Sequence, residues 1–391
     1  MEKQPLSVVR VAEFSWVIAG PLASKYLALM GAEVIKVESR KRPEFRQRDG
    51  SFPVLNHNKK SCSLDLSKPR ARTIAREIVR RSAIVVENFG TGVMDRLGLG
   101  YEALSREQPD LIMLSCSGLG RTGPDRDKLA FGTLLQLYSG WSLMQGHPGT
   151  DDIVMGGAWG DPLAAAMAAF AILTALHHRE RTGEGQYIDL SLLEASACGL
   201  PQALMDYEMN ERLPERQGNR DASMAPHGCY PCRGDDKWIG LAVRSEEEWT
   251  ALCGVMGNPP WTREERFADM SRRWQHQDAL DAHLAQWTAT HEATELMEML
   301  QAEGIPAGPS LNTTDLLADP HLQARGVFTE LAAPQGGSHF TIGAPWSIEP
   351  GLQPTYTPAP NLGEDNDYVL RTLLGMSRAE IDQLEADQVL F

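Results

Sequence analysis

Between Ser7 and Ser117 the chain alternates short β-branched runs with amphipathic segments. Ser7–Glu13 (SVVRVAE) predicts a strand. Pro21–Gly31 predicts a helix with proline in its first turn and glycine at its end. Glu33–Glu38 (EVIKVE) and Ser61–Leu66 predict two further strands. Over Pro69–Arg81, Ile74, Ala75, Ile78 and Val79 share one helical face. Ala83–Glu87 and Leu111–Ser117 again predict strands. Strands separated by helices imply right-handed βαβ units and a parallel sheet. An open sheet of this kind binds ligands beyond the carboxyl ends of its strands.

Further on, the apolar small-residue stretch Pro162–His178 predicts a long helix, followed by a turn at Thr182-Gly-Glu-Gly-Gln and a strand at Tyr187–Ser191. Polar residues from Arg212 to Ala222 read as a linker. The texture then changes to a strand, Trp238–Val243, and Trp- and Met-rich helices from Glu246 to Glu303, with Leu280, Leu284 and Trp287 at helical spacing. Gly304 ends the last of these. The Pro- and Gly-rich run Pro345–Pro360 reads as extended, and two terminal helices follow, the second opened by the capping box Ser377-x-x-Glu380. The expected organisation is a large domain over 1–215 and 325–391, a small domain over 225–315, and linkers at 212–224 and 316–345.

Composition narrows the classes. A chain of 391 residues suggests two or three domains. A net charge of −15 argues against non-specific nucleic-acid binding, while leaving room for a locally basic pocket. Met1 to Gly20 has no basic segment followed by an apolar core, so no secretory signal is expected. The apolar run Pro162–Leu176 is too short to span a membrane and reads as a buried helix. Six cysteines in so long a chain do not make a disulfide scaffold, and a cytoplasmic setting is expected.

Several motifs carry candidate chemistry. Gly118-Leu-Gly-Arg-Thr-Gly123 is a literal GxGxxG after a strand, but Pro124-Asp-Arg-Asp follows it, which reads as a turn and not as a dinucleotide-binding helix. Lys36 to Lys60 is basic in an acidic chain, with Arg40, Lys41, Arg42, Arg46, Arg48 and Lys59 between; it is either a phosphate clamp or a solvated loop. Cys229 and Cys232 form a single CxxC near His227, without the second pair that a structural zinc needs, and no metal is expected. Adjacent His177 and His178 do not share a helical face. In Trp159-Gly160-Asp161-Pro162, Asp161 is expected at the helix N-cap, with Pro162 at the first helical position. A carboxylate there is a cap. It is also a candidate nucleophile, because the neighbouring N–H groups favour its ionised form and an oxyanion formed beside it.

The stretches VAEFSWVIAGPLASKYLALMGAEVIKVE (Val11 to Glu38), NKKSCSLDL, VVENFGTGVMDRLGLGYEAL, LIMLSCSGLGRTGP, GDPLAAAMAAFAILTALHHRERTGEGQYIDLSLLEA, HGCYPCRGDDKWIGLAV, GIPAGPS and APNLGEDNDYVL, in that order, resemble the class III CoA-transferases, the family of formyl-CoA transferase and carnitine CoA-transferase. The resemblance implies an α/β fold: a large Rossmann-like domain with an open parallel sheet, a smaller α/β domain, and a homodimer of interlocked rings. It puts the nucleophile at Asp161, which attacks an acyl-CoA thioester to form an anhydride and then carries CoA as an aspartyl thioester. It puts Val17 and Ala19 beside CoA near the first turn, Arg40 and Lys128 on its phosphates or adenine, and Leu64, Asn88, Phe89 and Arg96 along its adenosine and pantetheine. It implies no permanently bound cofactor: coenzyme A arrives as acyl-CoA, and a small carboxylic acid accepts it.

Departures from the family limit this reading. Formyl-CoA transferase carries a supporting glutamine where Ile18 stands here, and a tetraglycine loop that this chain lacks, which disfavours formyl or oxalate. The family's α-methylacyl-CoA racemases pair the aspartate with a histidine that would fall in Leu129–Thr133, where none stands. Racemisation needs groups on both faces of the α-carbon, so the missing histidine disfavours a racemase, the rival on the same fold. A nucleotide-binding oxidoreductase and a non-catalytic CoA-binding protein are rivals from other classes. Trp141, Met144, Trp159, Met205, Tyr207 and the loop Met224–Tyr230 are either an acyl pocket or core.

Overall fold

The computed structural model describes residues 4–41, 50–151, 153–332, 336–349 and 354–390. Arg42, Arg46 and Arg48 of the basic segment lie outside the described residues, as does the middle of the stretch expected to be extended after Pro345. The chain divides into two compact units: Met1–Ser142, Val154–Leu213 and Pro320–Phe391 form the first, and Leu143–Ile153 and Pro214–Asp319 the second.

The first unit runs β1 (Arg10–Phe14), α1 (Ala19–Leu29), β2 (Glu33–Glu38), α2 (Ser51–Asn56), β3 (Lys59–Ser63), α3 (Pro69–Arg80), β4 (Ile84–Glu87), α4 (Val93–Arg96), α5 (Tyr101–Ser105), β5 (Ile112–Ser117), α6 (Gly132–Tyr138), α7 (Trp141–Met144, which reaches the unit boundary), α8 (Gly160–Thr182), β6 (Tyr187–Ser191), α9 (Leu192–Ala197) and α10 (Pro201–Asn210). Its six strands are parallel, in the order β3-β2-β1-β4-β5-β6. The order reverses between β1 and β4, where an open α/β sheet leaves its crevice.

Both faces of the sheet are covered, which explains why its strands read as near-continuous apolar runs. Val11, Ile84, Val86, Ile112 and Leu114 point to the core shared with α1 and α8. The alternate residues Ala12, Ile35, Val85 and Met113 point to the core shared with α3 and the chain's last helices. α8 is long and apolar enough to cross a membrane, but half of its apolar stretch is buried inside the protein, and Ala164, Ala168 and Ile172 pack in the first core.

Some boundaries differ from expectation. The first strand starts at Arg10 and not Ser7, because Leu6–Val9 closes a turn in which the Val9 N–H donates to the Leu6 carbonyl. β3 starts at Lys59, earlier than the expected Ser61, since Lys59 turns inward. α1 starts two residues before Pro21, whose missing N–H costs nothing in a first turn.

The inward lysine belongs to a buried ionic cluster. Lys36 and Lys59 each place Nζ 2.9 Å from the Glu13 carboxylate. The Lys36 contact follows from register, because Glu13 pairs with Lys36 across β1 and β2. Burial alone would raise the Glu13 pKa, but the two ammonium groups and the Ser24 hydroxyl hold it at about 2.

The second unit pairs β7 (His227–Pro231), β8 (Trp238–Ala242) and β9 (Ala307–Pro309) antiparallel. These strands and the helices α11 (Glu246–Val255), α12 (Met270–Gln275), α13 (Gln277–Thr288) and α14 (Ala293–Ala302) enclose a core that includes Trp249, Leu280, Leu284 and Leu296.

After α15 (Thr313–Ala318) and α16 (Pro320–Ala324), the chain forms the hairpin β10 (Phe328–Ala332) and β11 (Ser338–Ile342), a π-helical turn (Tyr368–Leu373) and α17 (Arg378–Ala386), which opens with the expected capping box of Ser377 and Glu380. On the way it runs along β3, the outer strand of the sheet. The Asp365 carboxylate accepts the Ser61 N–H at 2.8 Å, and the Asn366 side-chain oxygen accepts the Ser63 N–H at 2.9 Å.

Candidate active site

The loop joining β1 to α1 is fixed at both of its first residues. The Ser15 carbonyl accepts from Lys36 Nζ at 2.6 Å, and the Ser15 hydroxyl donates to Glu13 at 2.8 Å. Asn88, just past β4, accepts the Trp16 N–H at 2.9 Å and donates to the Trp16 carbonyl at 2.7 Å. Between these anchors and α1, Val17 is held at φ 63°, a left-handed conformation that a β-branched residue adopts only when its surroundings impose it.

This loop lines a cavity of about 440 Å³ at the carboxyl ends of β1 to β4. Phe14, Trp16, Leu64 and Phe89 form its apolar wall, and Lys41 stands at its polar edge, 2.7 Å from Asp65. Of the residues expected around CoA, Leu64 and Phe89 line the cavity, and Asn88 holds its Trp16 wall. Arg40 and Arg96 are exposed outside the lining set, and Lys128 is exposed in an ion pair with Asp125 at 2.9 Å. Lys41, the residue after Arg40, is the basic side chain among those that line the cavity.

The same loop reaches Asp161. Three residues beyond Trp16, the Ala19 N–H donates to the Asp161 carboxylate. Three peptide units span at most about 11 Å, so the cavity wall and the carboxylate are near neighbours. Asp161 is not the N-cap: Trp159 holds that position with helical angles, φ −62° and ψ −27°, and no capping side chain. The helix starts two residues earlier than Pro162 suggested, and Asp161 sits within its first turn.

The Asp161 side chain is buried, only 7% of the residue being exposed. Burial raises its pKa to about 6, against hydrogen bonds from the Ala19 N–H and its own N–H. It is therefore an ionised but poorly solvated carboxylate at neutral pH, a combination suited to nucleophilic attack. The Cys116 thiol is pushed up to about 12 by burial and then by the Asp161 and Glu87 carboxylates, so it stays protonated.

Helix α6 closes the other side. A β-carbon built on Gly132 would stand 2.0 Å from Asp161 Oδ2 and 2.5 Å from the Ala158 β-carbon. One turn along, Gln136 Nε2 donates to the Gly157 carbonyl at 2.7 Å. Nothing in the sequence pattern singled out Gly132 or Gln136, because each acts on residues more than twenty positions away.

The GxGxxG segment is a structural loop. The Arg121 N–H donates to the Asp189 carboxylate at 2.9 Å, and its guanidinium pairs with Glu87 at 2.6 Å. Gly120 and Gly123 adopt φ of 83° and 81°, and no helix opens there. Cys229 and Cys232 are free thiols, and among the described residues no group of three His, Cys, Asp or Glu is arranged to hold a metal ion.

The family model of CoA-transferase family III matches residues 6–366. The chain is 34% identical over 398 residues to the succinyl-CoA–D-citramalate CoA-transferase of Chloroflexus aurantiacus, covering 99% of this chain and 98% of the relative. It is 32% identical to the succinate–glutarate CoA-transferase of Agrobacterium fabrum, covering 96% and 97%. A crystal structure of a CaiB/BaiF family protein from Brucella suis superposes with a TM-score of 0.87 at 29% identity, covering 95% of this chain and all of that one.

Proposed function

This chain belongs to CoA-transferase family III and is an enzyme of that class; on that premise we propose that it moves CoA from an acyl-CoA donor to a carboxylic acid acceptor with Asp161 as nucleophile. The observation that carries the reading is that one loop, Ser15 to Ala19, both walls the cavity and donates to the Asp161 carboxylate. The first unit is the CoA-binding domain and the second the small domain. CoA lies over Val17 and Ala19, its adenosine and pantetheine pass Leu64, Asn88, Phe89 and Arg96, and Arg40 and Lys128 lie toward its phosphates. Lys41 joins them, supported by its place at the cavity edge.

The reaction balances without an oxidant or a net water. A carboxylate oxygen of Asp161 attacks the thioester carbonyl; the C–S bond breaks, and CoA leaves as thiolate from a mixed anhydride. The thiolate attacks the Asp161 carbonyl, forming an aspartyl-CoA thioester and releasing the donor as its carboxylate. The acceptor carboxylate attacks that thioester, again expelling the thiolate and forming a second anhydride. The thiolate then takes the acceptor acyl group and regenerates the Asp161 carboxylate. Burial of Asp161 keeps water from the anhydride, and the helix N-terminus and Ala19 N–H supply donors for the oxyanions.

The relatives' substrates, succinyl-CoA with citramalate and succinate with glutarate, support a succinyl donor and a small dicarboxylic acceptor. Phe131, Trp159 and Phe170 are exposed on the single chain, which supports a homodimer, interlocked as in the family. Six free thiols suit the cytoplasm. The test incubates the enzyme with succinyl-CoA and a panel of dicarboxylic acids and identifies the product thioester by mass. Hydroxylamine or borohydride should trap a modification on Asp161. Normal transfer by Asp161→Asn would overturn the assignment, and exchange of the donor's α-proton with solvent deuterium without transfer would favour a racemase.

A further inference from the structure

We propose that helix α6 is a positioning clamp for the Asp161 carboxylate, with Gly132 setting its seat and Gln136 holding the turn that leads to it. The inference rests on the reading of Asp161 as nucleophile and goes beyond it, because that reading gives neither residue a part in the chemistry.

Gly132 and Gln136 stand four apart, so they share one face of α6. That face meets the turn before α8 twice. At Gly132 the backbone itself fills the contact: real β-carbons essentially never approach a heavy atom within 3.0 Å, and one at 132 would lie 2.0 Å from Asp161 Oδ2. Any side chain there drives the carboxylate back by an ångström or more, or moves the whole turn, since the Ala158 β-carbon would be 2.5 Å away as well. At Gln136 the contact is a tether. Its amide is buried, with 2% of the residue exposed, and Nε2 donates to the Gly157 carbonyl at 2.7 Å. The carboxylate is thus held from three directions: by the Ala19 N–H at the start of α1, by its own N–H in α8, and by the bare backbone of Gly132.

Position matters more than affinity for such a residue. A nucleophile displaced by about 1 Å from its attack geometry loses on the order of 100-fold in rate. CoA, held by the cavity, should bind as before.

The experiment compares Gly132→Ala, Gln136→Met and Asp161→Asn with the wild-type enzyme. The readouts are CoA affinity by calorimetry, and kcat and KM for acyl-CoA across pH. Gly132→Ala is expected to lower kcat about 100-fold, with CoA affinity within twofold and the acid limb of kcat moved toward the ordinary carboxylate range as Asp161 is pushed to solvent. Gln136→Met keeps the length of the side chain without the donor, and is expected to lower kcat about tenfold with KM unchanged. A folded Gly132→Ala enzyme with kcat within threefold of wild type overturns the proposal. Should Gly132→Ala not fold, unchanged kcat in Gln136→Met overturns it instead. Activity in Asp161→Asn would sink the nucleophile itself, whereas an inactive Asp161→Asn beside two fully active α6 variants sinks only the clamp.

Discussion

Replacing Asp161 with asparagine should abolish CoA transfer and make the protein more stable. Folding moves this carboxyl from an ordinary value of about 3.9 to about 6. The native state therefore favours the protonated acid. That preference contributes fully below about pH 4, and it is lost as pH rises through the interval to about 6. At pH 8 the buried charge costs about 3 kcal/mol, at 1.36 kcal/mol for each pKa unit. Asparagine removes the charge and keeps the shape. It weakens one of the two accepted backbone hydrogen bonds, worth about 1 kcal/mol. The net gain is about 1–2 kcal/mol, or roughly 2–6 °C in Tm. Calorimetric scans of both proteins at a series of pH values test this. The gain should be present at pH 8, shrink below pH 6 and be gone near pH 4. The same ionisation sets the activity, so transfer by the wild-type enzyme should fall as pH drops through about 6. An Asp161→Asn protein no more stable than wild type at pH 8, or a difference that does not change with pH, would refute the reasoning.

Three further predictions concern other parts of the first unit. Asn88→Leu strips two hydrogen bonds from the Trp16 backbone and should cost about 1–3 kcal/mol of stability; CoA affinity measured by calorimetry should drop with it, and unchanged affinity would break the link between the loop and the cavity. Glu13→Gln leaves Lys36 and Lys59 buried without their counter-ion and should cost about 3–5 kcal/mol in denaturant unfolding. Because Glu13 is held at about 2, its contribution is present above the ordinary carboxylate value and is lost only as pH falls toward 2, so wild type and Glu13→Gln should converge in strong acid. Ser377→Ala opens the capping box of α17 and should cost about 1 kcal/mol without altering transfer rates.

What could be read in the sequence follows the range of the forces involved. Strand alternation and helix periodicity are local, so β2 and β6 were foreseen to the residue and the parallel sheet followed from their spacing. Asp161 was legible from Gly160 and Pro162 beside it, but its place inside the first turn, and not at the expected N-cap, was not, because that depends on the backbone angles of Trp159. Lys36 reads as one more polar residue in EVIKVE until the register sets it against Glu13. The unit boundaries show the same limit. Leu143–Ile153 lies with residues seventy positions on because Arg216 binds the Gln145 and Thr150 carbonyls, both at 2.9 Å, a pairing that no local pattern announces.

The run of side chains from Asp365 and Asn366 along β3 has a consequence for solubility. An outermost strand with bare amides is a template on which a second molecule can stack. Here the chain's own far end seals that margin, spending two polar side chains where another copy's backbone would otherwise dock. With Asp365 and Asn366 replaced by alanine, the Ser61 and Ser63 amides would lose their selvedge, and clumping through the frayed side of the sheet should follow before any loss of chemistry.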